Sequence, residues 1–281
     1  MKQYQIQCKR QELTLGDKPV IMGILNATPD SFSDGGHFVD IDIAVAHGLQ
    51  MVADGAKIID VGGESTRPGS QAVSVTEQIK RVVPLIKGIA NQCNVAISID
   101  TTSCEVAKAA LEAGASIVND VSALLFDDKL ADLIAEQGCP IILMHMQGKP
   151  ENMQRQPEYE NVVEEVKKFL VERIAFCLSS GIKKQQIIID PGIGFGKTTE
   201  HNLLLIKHID AFSELGVPVL IGHSRKRFIG DILGIENAAD RTFGNAAVVG
   251  YCVSKECQIL RVHDVKETRE VVDMTAAINQ A

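Results

Sequence analysis

The 281-residue chain contains no tryptophan, and aromatic residues make up only 4% of it, so any core must be assembled from aliphatic side chains. It lacks an apolar run near the roughly 20 residues that a membrane helix needs, and no membrane partner is expected. The opening MKQYQIQCKR is polar and alternating, unlike a secretory leader, which predicts a soluble, cytoplasmic protein. Cysteine occurs seven times, at 8, 93, 104, 139, 177, 252 and 257, yet never as CxxC and with one left over. That excludes a zinc knuckle and a disulfide framework, leaving reduced thiols. Clustered positive charge is also scarce. With 28 Lys and Arg against 36 Asp and Glu, the net charge of −8 argues against a nucleic-acid partner. A bound phosphate would have to be met by local cations.

What the sequence does have is a hydrophobic content of 45%, enough for one large core, and a repeating pattern. Short apolar runs end in a polar residue and lead into a helical period. Val20–Leu25 ends at Asn26, Ile58–Ile59 at Asp60, Val95–Ile99 at Asp100 and Ile117–Val118 at Asn119. Ile141–Met144 ends at His145, Ile187–Ile189 at Asp190, Val219–Ile221 before His223, and Ile259–Val262 at His263. Eight βα units predict a single (β/α)8 TIM barrel spanning residues 1–281, with a doubly wound open sheet as the alternative. Tyr4–Cys8 and Glu12–Leu15 alternate around Lys9-Arg10-Gln11 and predict a short N-terminal β-hairpin. Ser74-x-x-Glu77, Thr102-x-x-Glu105 and Asp264-x-x-Glu267 have capping-box spacing, and Gly114, Gly138, Gly181 and Gly216 mark helix ends. Pro84, inside Ile79–Ala90, predicts a kink or a late start.

In a barrel with all strands parallel, Asn26, Asp100, Asn119, Asp190 and His263 face one rim. The stretch IIIDPGIGFGKTT at 187–199 places Asp190 at a strand end, followed by a lean loop suited to a flat polar heterocycle. It is not a P-loop, because the glycine required five residues before Gly196 is Pro191. The segments 26–36 (NATPDSFSDGG) and 60–70 (DVGGESTRPGS) form two more rim loops that could make a lid. Thr66-Arg67 offers a hydroxyl and a cationic fork suited to phosphate. GHSRKRFIG at 222–230 concentrates cations at a strand end, and Arg261 and His263, two apart, point to one side of a strand and can grip an anion.

These motifs, with MGILNATPDSFSDGG, SIDT at 98–101, NDVSA at 119–123, MHMQG at 144–148 and RVHDV, resemble those of the dihydropteroate synthases, from Met22 to about Val265. The resemblance implies condensation of p-aminobenzoate with 6-hydroxymethyl-7,8-dihydropterin diphosphate, in a family that is the sulfonamide target. It implies that Asp100, Asn119, Asp190 and Lys226 hydrogen-bond the pterin, that Met144 and Phe195 pack on it, and that Gly222 leaves room beside it. Asn26 would ligate Mg²⁺, and Thr66, Arg67, Arg261 and His263 would hold the diphosphate. Phe32, Pro68 and Ser224 would contact p-aminobenzoate. Asp100, Asp190 and Lys226 would be catalytic, and a homodimer through late helices including Asn237–Ser254 is implied.

Three rival readings have their own signatures. A corrinoid-type pterin methyltransferase has no use for the cationic diphosphate groups. A metal-dependent barrel hydrolase would gather His145, His223 and His263 around a metal, commonly with carboxylates. A non-catalytic pterin binder would bind without turnover.

Overall fold

The computed structural model describes residues 2–9, 11–27, 37–64, 73–148, 153 and 157–281, with residues 37–40 as backbone only. Strands β1 (Tyr4–Gln7) and β2 (Glu12–Leu15) form an antiparallel hairpin. Eight parallel strands follow: β3 (Val20–Asn26), β4 (Ile58–Gly62), β5 (Ala96–Asp100), β6 (Ile117–Asp120), β7 (Ile141–Met144), β8 (Ile187–Asp190), β9 (Leu220–Ile221) and β10 (Ile259–Val262). Their spatial order is β8-β7-β6-β5-β4-β3-β10-β9. A parallel bridge between Ile189 and Val219 joins β8 to the start of β9, and Ile189 N–H donates to Pro218 O at 3.0 Å. The sheet therefore closes. This confirms the barrel with its hairpin and removes the open-sheet alternative.

The helices between and after the strands are α1 (His37–Asp54), α2 (Val75–Ala90), α3 (Cys104–Ala113), α4 (Lys129–Gln137), α5 (Val162–Ser179), α6 (Thr199–Lys207), α7 (Ile209–Ser213), α8 (Arg227–Leu233), α9 (Thr242–Ser254) and α10 (Val265–Gln280). Gly114 and Gly138 cap α3 and α4 with positive φ, as the sequence predicts. Ser74 accepts from Glu77 N–H and starts α2 well before Pro84, so the late start is not observed. The third helix starts one residue later than its capping-box spacing suggests, because Ser103 rather than Thr102 accepts, from Val106 N–H. Asp264 precedes α10 without a capping bond, since its carboxylate is drawn to Arg225 instead.

Strand alternation builds the site in layers. Ile59, Val61, Ile97, Ile99, Ile141, Leu143 and Ile189 pack outwards in the main core that also holds helix residues such as Leu85, Ile89 and Leu170. Met22, Ile58, Ala96, Ile117, Ile142, Ile188, Leu220 and Ile259 form a separate cluster with Ile6, Leu13 and Leu15 of the hairpin. The hairpin therefore plugs one end of the barrel with buried aliphatics, each contributing about 1.5–3 kcal/mol of transfer free energy. Two residues further along these strands come Asp60, Ser98, Asn119, Met144, Asp190, Gly222 and Arg261, on the same face by the period of two. A polar layer thus lies directly above an apolar floor, towards the carboxyl ends of the strands.

Candidate active site

The rim residues are brought into register by strand pairing. Asn26 pairs with Gly62, Gly62 with Asp100 and Asp100 with Asn119, a row across four adjacent strands. On the other side of the barrel Met144 pairs with Asp190. Arg261 reaches across from β10, with Nε 2.6 Å from Asp60 Oδ2 and Nη2 2.7 Å from Asp100 Oδ2. Asn119 Nδ2 donates to the same Asp60 oxygen at 3.2 Å. Asp60, which ends a run in the sequence but carries no expected role, is therefore the anchor joining two of the expected site residues. The signal that could have singled it out is the interior phase it shares with Asn119 and Asp190.

Charge in this layer is strongly perturbed. Burial raises the pKa of Asp100, with Arg261 opposing and Asp60, Asp120 and Glu64 reinforcing the shift. Burial works against the charge on Arg261, but the Asp60 and Asp100 carboxylates outweigh it and hold its pKa above the usual value. Asp190 is raised by burial, with Lys226, the Gly192 N–H and Arg261 pulling it back. Lys226 is lowered to about 7 by burial, Asp190 opposing.

The loop after β8 is fixed along its length. Asp190 Oδ1 accepts from Gly192 N–H at 2.7 Å, Asn202 Oδ1 from Gly194 N–H at 2.6 Å, and Gly196 O from Tyr159 OH at 2.9 Å. Buried Lys197 donates to Phe195 O at 2.9 Å and lies 3.0 Å from His145 Nδ1. At Gly192, φ is +71° and a Cβ would stand 1.9 Å from His145 O, so only glycine fits. The result is that Ile193 O accepts from Lys226 Nζ, whose ammonium stands 4.4 Å from the Phe195 ring centroid. Phe195 and Met144 belong to one small apolar cluster with Val121 and Met153, forming a greasy wall beside the carboxylates. Lys197, Val121 and Met153 carried no role in the sequence reading.

Gly222 lies between the acidic and basic groups: a Cβ there would be 3.6 Å from Asp190 Oδ2 and 3.8 Å from Arg261 Cβ. Ser224 Oγ lies 3.0 Å from His263 Nδ1 and accepts from His263 N–H at 3.2 Å. The residues expected at the aminobenzoate and diphosphate subsites are therefore neighbours. Phe32, Thr66, Arg67 and Pro68 lie outside the described residues. The ends of the 65–72 segment are tied together, since Glu64 Oε1 accepts from Val73 N–H at 2.7 Å.

No histidine-rich metal centre forms. Among the described residues no group of three His, Cys, Asp or Glu side chains is placed to hold a metal ion. His145 is taken by Lys197, its pKa pushed down to about 2 by burial and by that lysine. His223 is fully buried, its pKa lowered to about 4 by burial and by Lys226.

A (β/α)8 barrel with acidic and amide groups sunk inside it, an apolar wall and adjoining cations suits a ligand with a polar edge and an apolar face. The pterin binding enzyme family matches residues 22–263. A Streptococcus pyogenes serotype M6 dihydropteroate synthase is 51% identical over 253 residues, covering 90% of this chain and 92% of the relative. The solved Xanthomonas albilineans dihydropteroate synthase with 4-aminobenzoic acid superposes with a TM-score of 0.94 at 43% identity, over 100% of both chains. A second structure of that synthase, in complex with 7,8-dihydropteroate, gives 0.89 at 41% identity over 99% of each chain. The chain belongs to the dihydropteroate synthases.

Proposed function

We propose that the chain joins p-aminobenzoate to 6-hydroxymethyl-7,8-dihydropterin diphosphate, releasing 7,8-dihydropteroate and diphosphate, a transferase step of folate biosynthesis. The observation that carries this reading is the meeting of Asp100, Asn119 and Asp190 with Arg261 and Lys226 beside Met144 and Phe195. Relatives crystallised with 4-aminobenzoic acid and with 7,8-dihydropteroate support it.

In this reading the carboxylates of Asp100 and Asp190 and the amide of Asn119 accept from and donate to the pterin edge, while Lys226 donates to its carbonyl or ring nitrogen. Phe195 and Met144 cover its face, and the open flank at Gly222 admits the ring. Arg261 and His263, with Thr66 and Arg67, bind the diphosphate and stabilise the negative charge that grows as it departs. The buried carboxylates stabilise the positive character left on the exocyclic methylene. Ser224, Phe32 and Pro68 hold the aminobenzoate with its amine aimed at that carbon. An arylamine is neutral at pH 7, so attack needs no strong base, which accords with Asp60 and Asp100 being paired to Arg261 rather than free to act as one.

Mg²⁺ is proposed on the donor set. Asn26 offers a hard amide oxygen at the rim, and a Cβ at its register partner Gly62 would stand 3.7 Å from Asn26 Oδ1. With no acidic cage among the described residues, the ion fits as one carried largely by the diphosphate, supplying charge neutralisation of the leaving group.

We also read the chain as a cytoplasmic homodimer. Among the described residues no helix is long and apolar enough to cross a membrane. Exposed apolar side chains gather on the late helices: Ile232 and Leu233 on α8, Phe243 and Tyr251 on α9, Met274 and Ile278 on α10. A coupled assay for 7,8-dihydropteroate, run with both substrates and with or without Mg²⁺, tests the function. Turnover that needs both substrates and the ion is expected, and pterin binding without turnover would instead favour a non-catalytic binder.

A further inference from the structure

The segment carrying Ser224 and Lys226 is a tight turn in which Lys226 N–H donates to His223 O at 3.2 Å. Its third residue, Arg225, has φ +60°, where glycine is the usual occupant. A non-glycine residue held in that region persists only when its surroundings over-determine it. Here they do, and the fixing groups come from α9 and its first flanking residue. Asn245 Oδ1 accepts from Arg225 N–H at 2.9 Å, and Arg241 Nη1 donates to Arg225 O at 2.8 Å. The two peptide planes that flank Arg225 are therefore gripped separately, one by each residue.

Arg241 is buried and spends its guanidinium on backbone, with Nε 3.2 Å from Ile235 O and Nη2 2.7 Å from Glu236 O. Room for it exists because residue 230 is glycine: a Cβ there would stand 2.6 Å from Arg241 Nη2. Asn245 is also buried, and its Nδ2 has no partner among the described residues. Its acceptor oxygen is thus the atom that matters. Neither residue reaches the polar layer itself.

We propose that Asn245 and Arg241 are positioning residues, a clamp that sets the aim of Ser224 and Lys226 through the backbone of Arg225. The clamp rests on the proposed reaction for its kinetic consequence but not for its existence. Asn245 fixes the peptide between Ser224 and Arg225, so it governs the Ser224 hydroxyl. Arg241 fixes the peptide between Arg225 and Lys226, so it governs the ammonium. The two therefore act on different subsites.

Asn245→Leu, close in volume and without an acceptor, is expected to raise KM for p-aminobenzoate about tenfold, a loss of alignment rather than of chemistry. Its calorimetric affinity for pterin diphosphate should stay within about twofold of wild type. Asn245→Asp keeps the acceptor and should restore KM. Arg241→Lys, which gives up the planar fork that holds three backbone carbonyls, should instead weaken pterin binding. Hydrogen exchange at the Arg225 amide reads the clamp without turnover: slow in wild type and in Asn245→Asp, fast in Asn245→Leu. Faster exchange with unchanged KM, equal losses for both substrates, or no rescue by Asn245→Asp would overturn the proposal. A protected Arg225 amide in a wild-type chain that makes no product would overturn the proposed reaction instead.

Discussion

Asp60 and Arg261, 201 residues apart in sequence, meet inside the barrel with Oδ2 2.6 Å from Nε. The carboxylate is fully buried and also accepts from Asn119. Removing it leaves a guanidinium partnered by Asp100 alone and an amide without its acceptor. Breaking a buried pair from one side costs about 3 kcal/mol, much of it from the charge left behind. Asp60→Ala should therefore lower the unfolding free energy by roughly that amount, read as a lower urea midpoint, and weaken pterin binding, although Asp60 carries no role of its own in the substrate contacts. An unchanged midpoint would show that Arg261 is held by Asp100 without help.

Asp190 sits where a ligand would take over its partners. Its carboxylate accepts from Gly192 N–H, and Lys226 is the charge that does most to oppose the effect of burial on it. Asp190→Asn keeps the shape but replaces a charge-assisted acceptor, at an expected cost of about 2–4 kcal/mol in pterin affinity. Calorimetric titration of pterin diphosphate into the variant checks this, and wild-type affinity would remove Asp190 from the site.

The buried His223 imidazole should subtract stability on mild acidification, against the opposite pull of Asp100, whose pKa burial raises to about 7. His223 has a folded pKa lowered to about 4. Between that value and about 6.5, its ordinary value, the unfolded chain binds a proton that the folded chain refuses. The His223 contribution is therefore complete above about pH 6.5 and declines as pH falls towards 4. At pH 5 the loss from this residue alone is about 2 kcal/mol, at 1.36 kcal/mol per unit. Urea midpoints at pH 7 and pH 5 should converge in His223→Asn relative to wild type, and an equal pH dependence in both would exclude the imidazole as its source.

The barrel and most of its rim were legible because a strand period of two and a helical period near 3.6 leave separate marks on a sequence. Asp100, Asn119 and Asp190 could be read as converging since each closes a β-branched run. What escaped was determined by pairing across the barrel. Asp60 shares the interior phase of Asn119 and Asp190, but its partners lie on β6 and β10, beyond any local window. Lys197 looked like part of a failed phosphate loop, whereas its ammonium points inward to His145 and the Phe195 carbonyl. Arg241 and Asn245 lie within the late-helix stretch Asn237–Ser254 without a signal of their own, and their role depends on a turn sixteen and twenty positions earlier. Asp264 had the spacing of a cap but was claimed by Arg225, an interaction that no short window contains.

Phe243 is 89% exposed at the start of α9, an unusual place for a large ring in water. Gly244 beside it lets α8 approach closely, since a Cβ there would meet Ile229 and Leu233 within 2.8 Å. The two helices pack closely here, and each carries exposed apolar side chains, Ile232 and Leu233 on α8 and Phe243 on α9, with Met274 and Ile278 exposed on α10. If this face pairs two copies, as the homodimer reading requires, a charge introduced at its most exposed member must be desolvated twice across a two-fold axis. Phe243→Glu should then shift the mass measured by light scattering at micromolar concentration from dimer to monomer, while the unfolding midpoint of the isolated subunit changes little because the ring is 89% exposed within it. A wild-type protein already monomeric under those conditions would end the dimer reading. A variant that stayed dimeric would place the contact on another face.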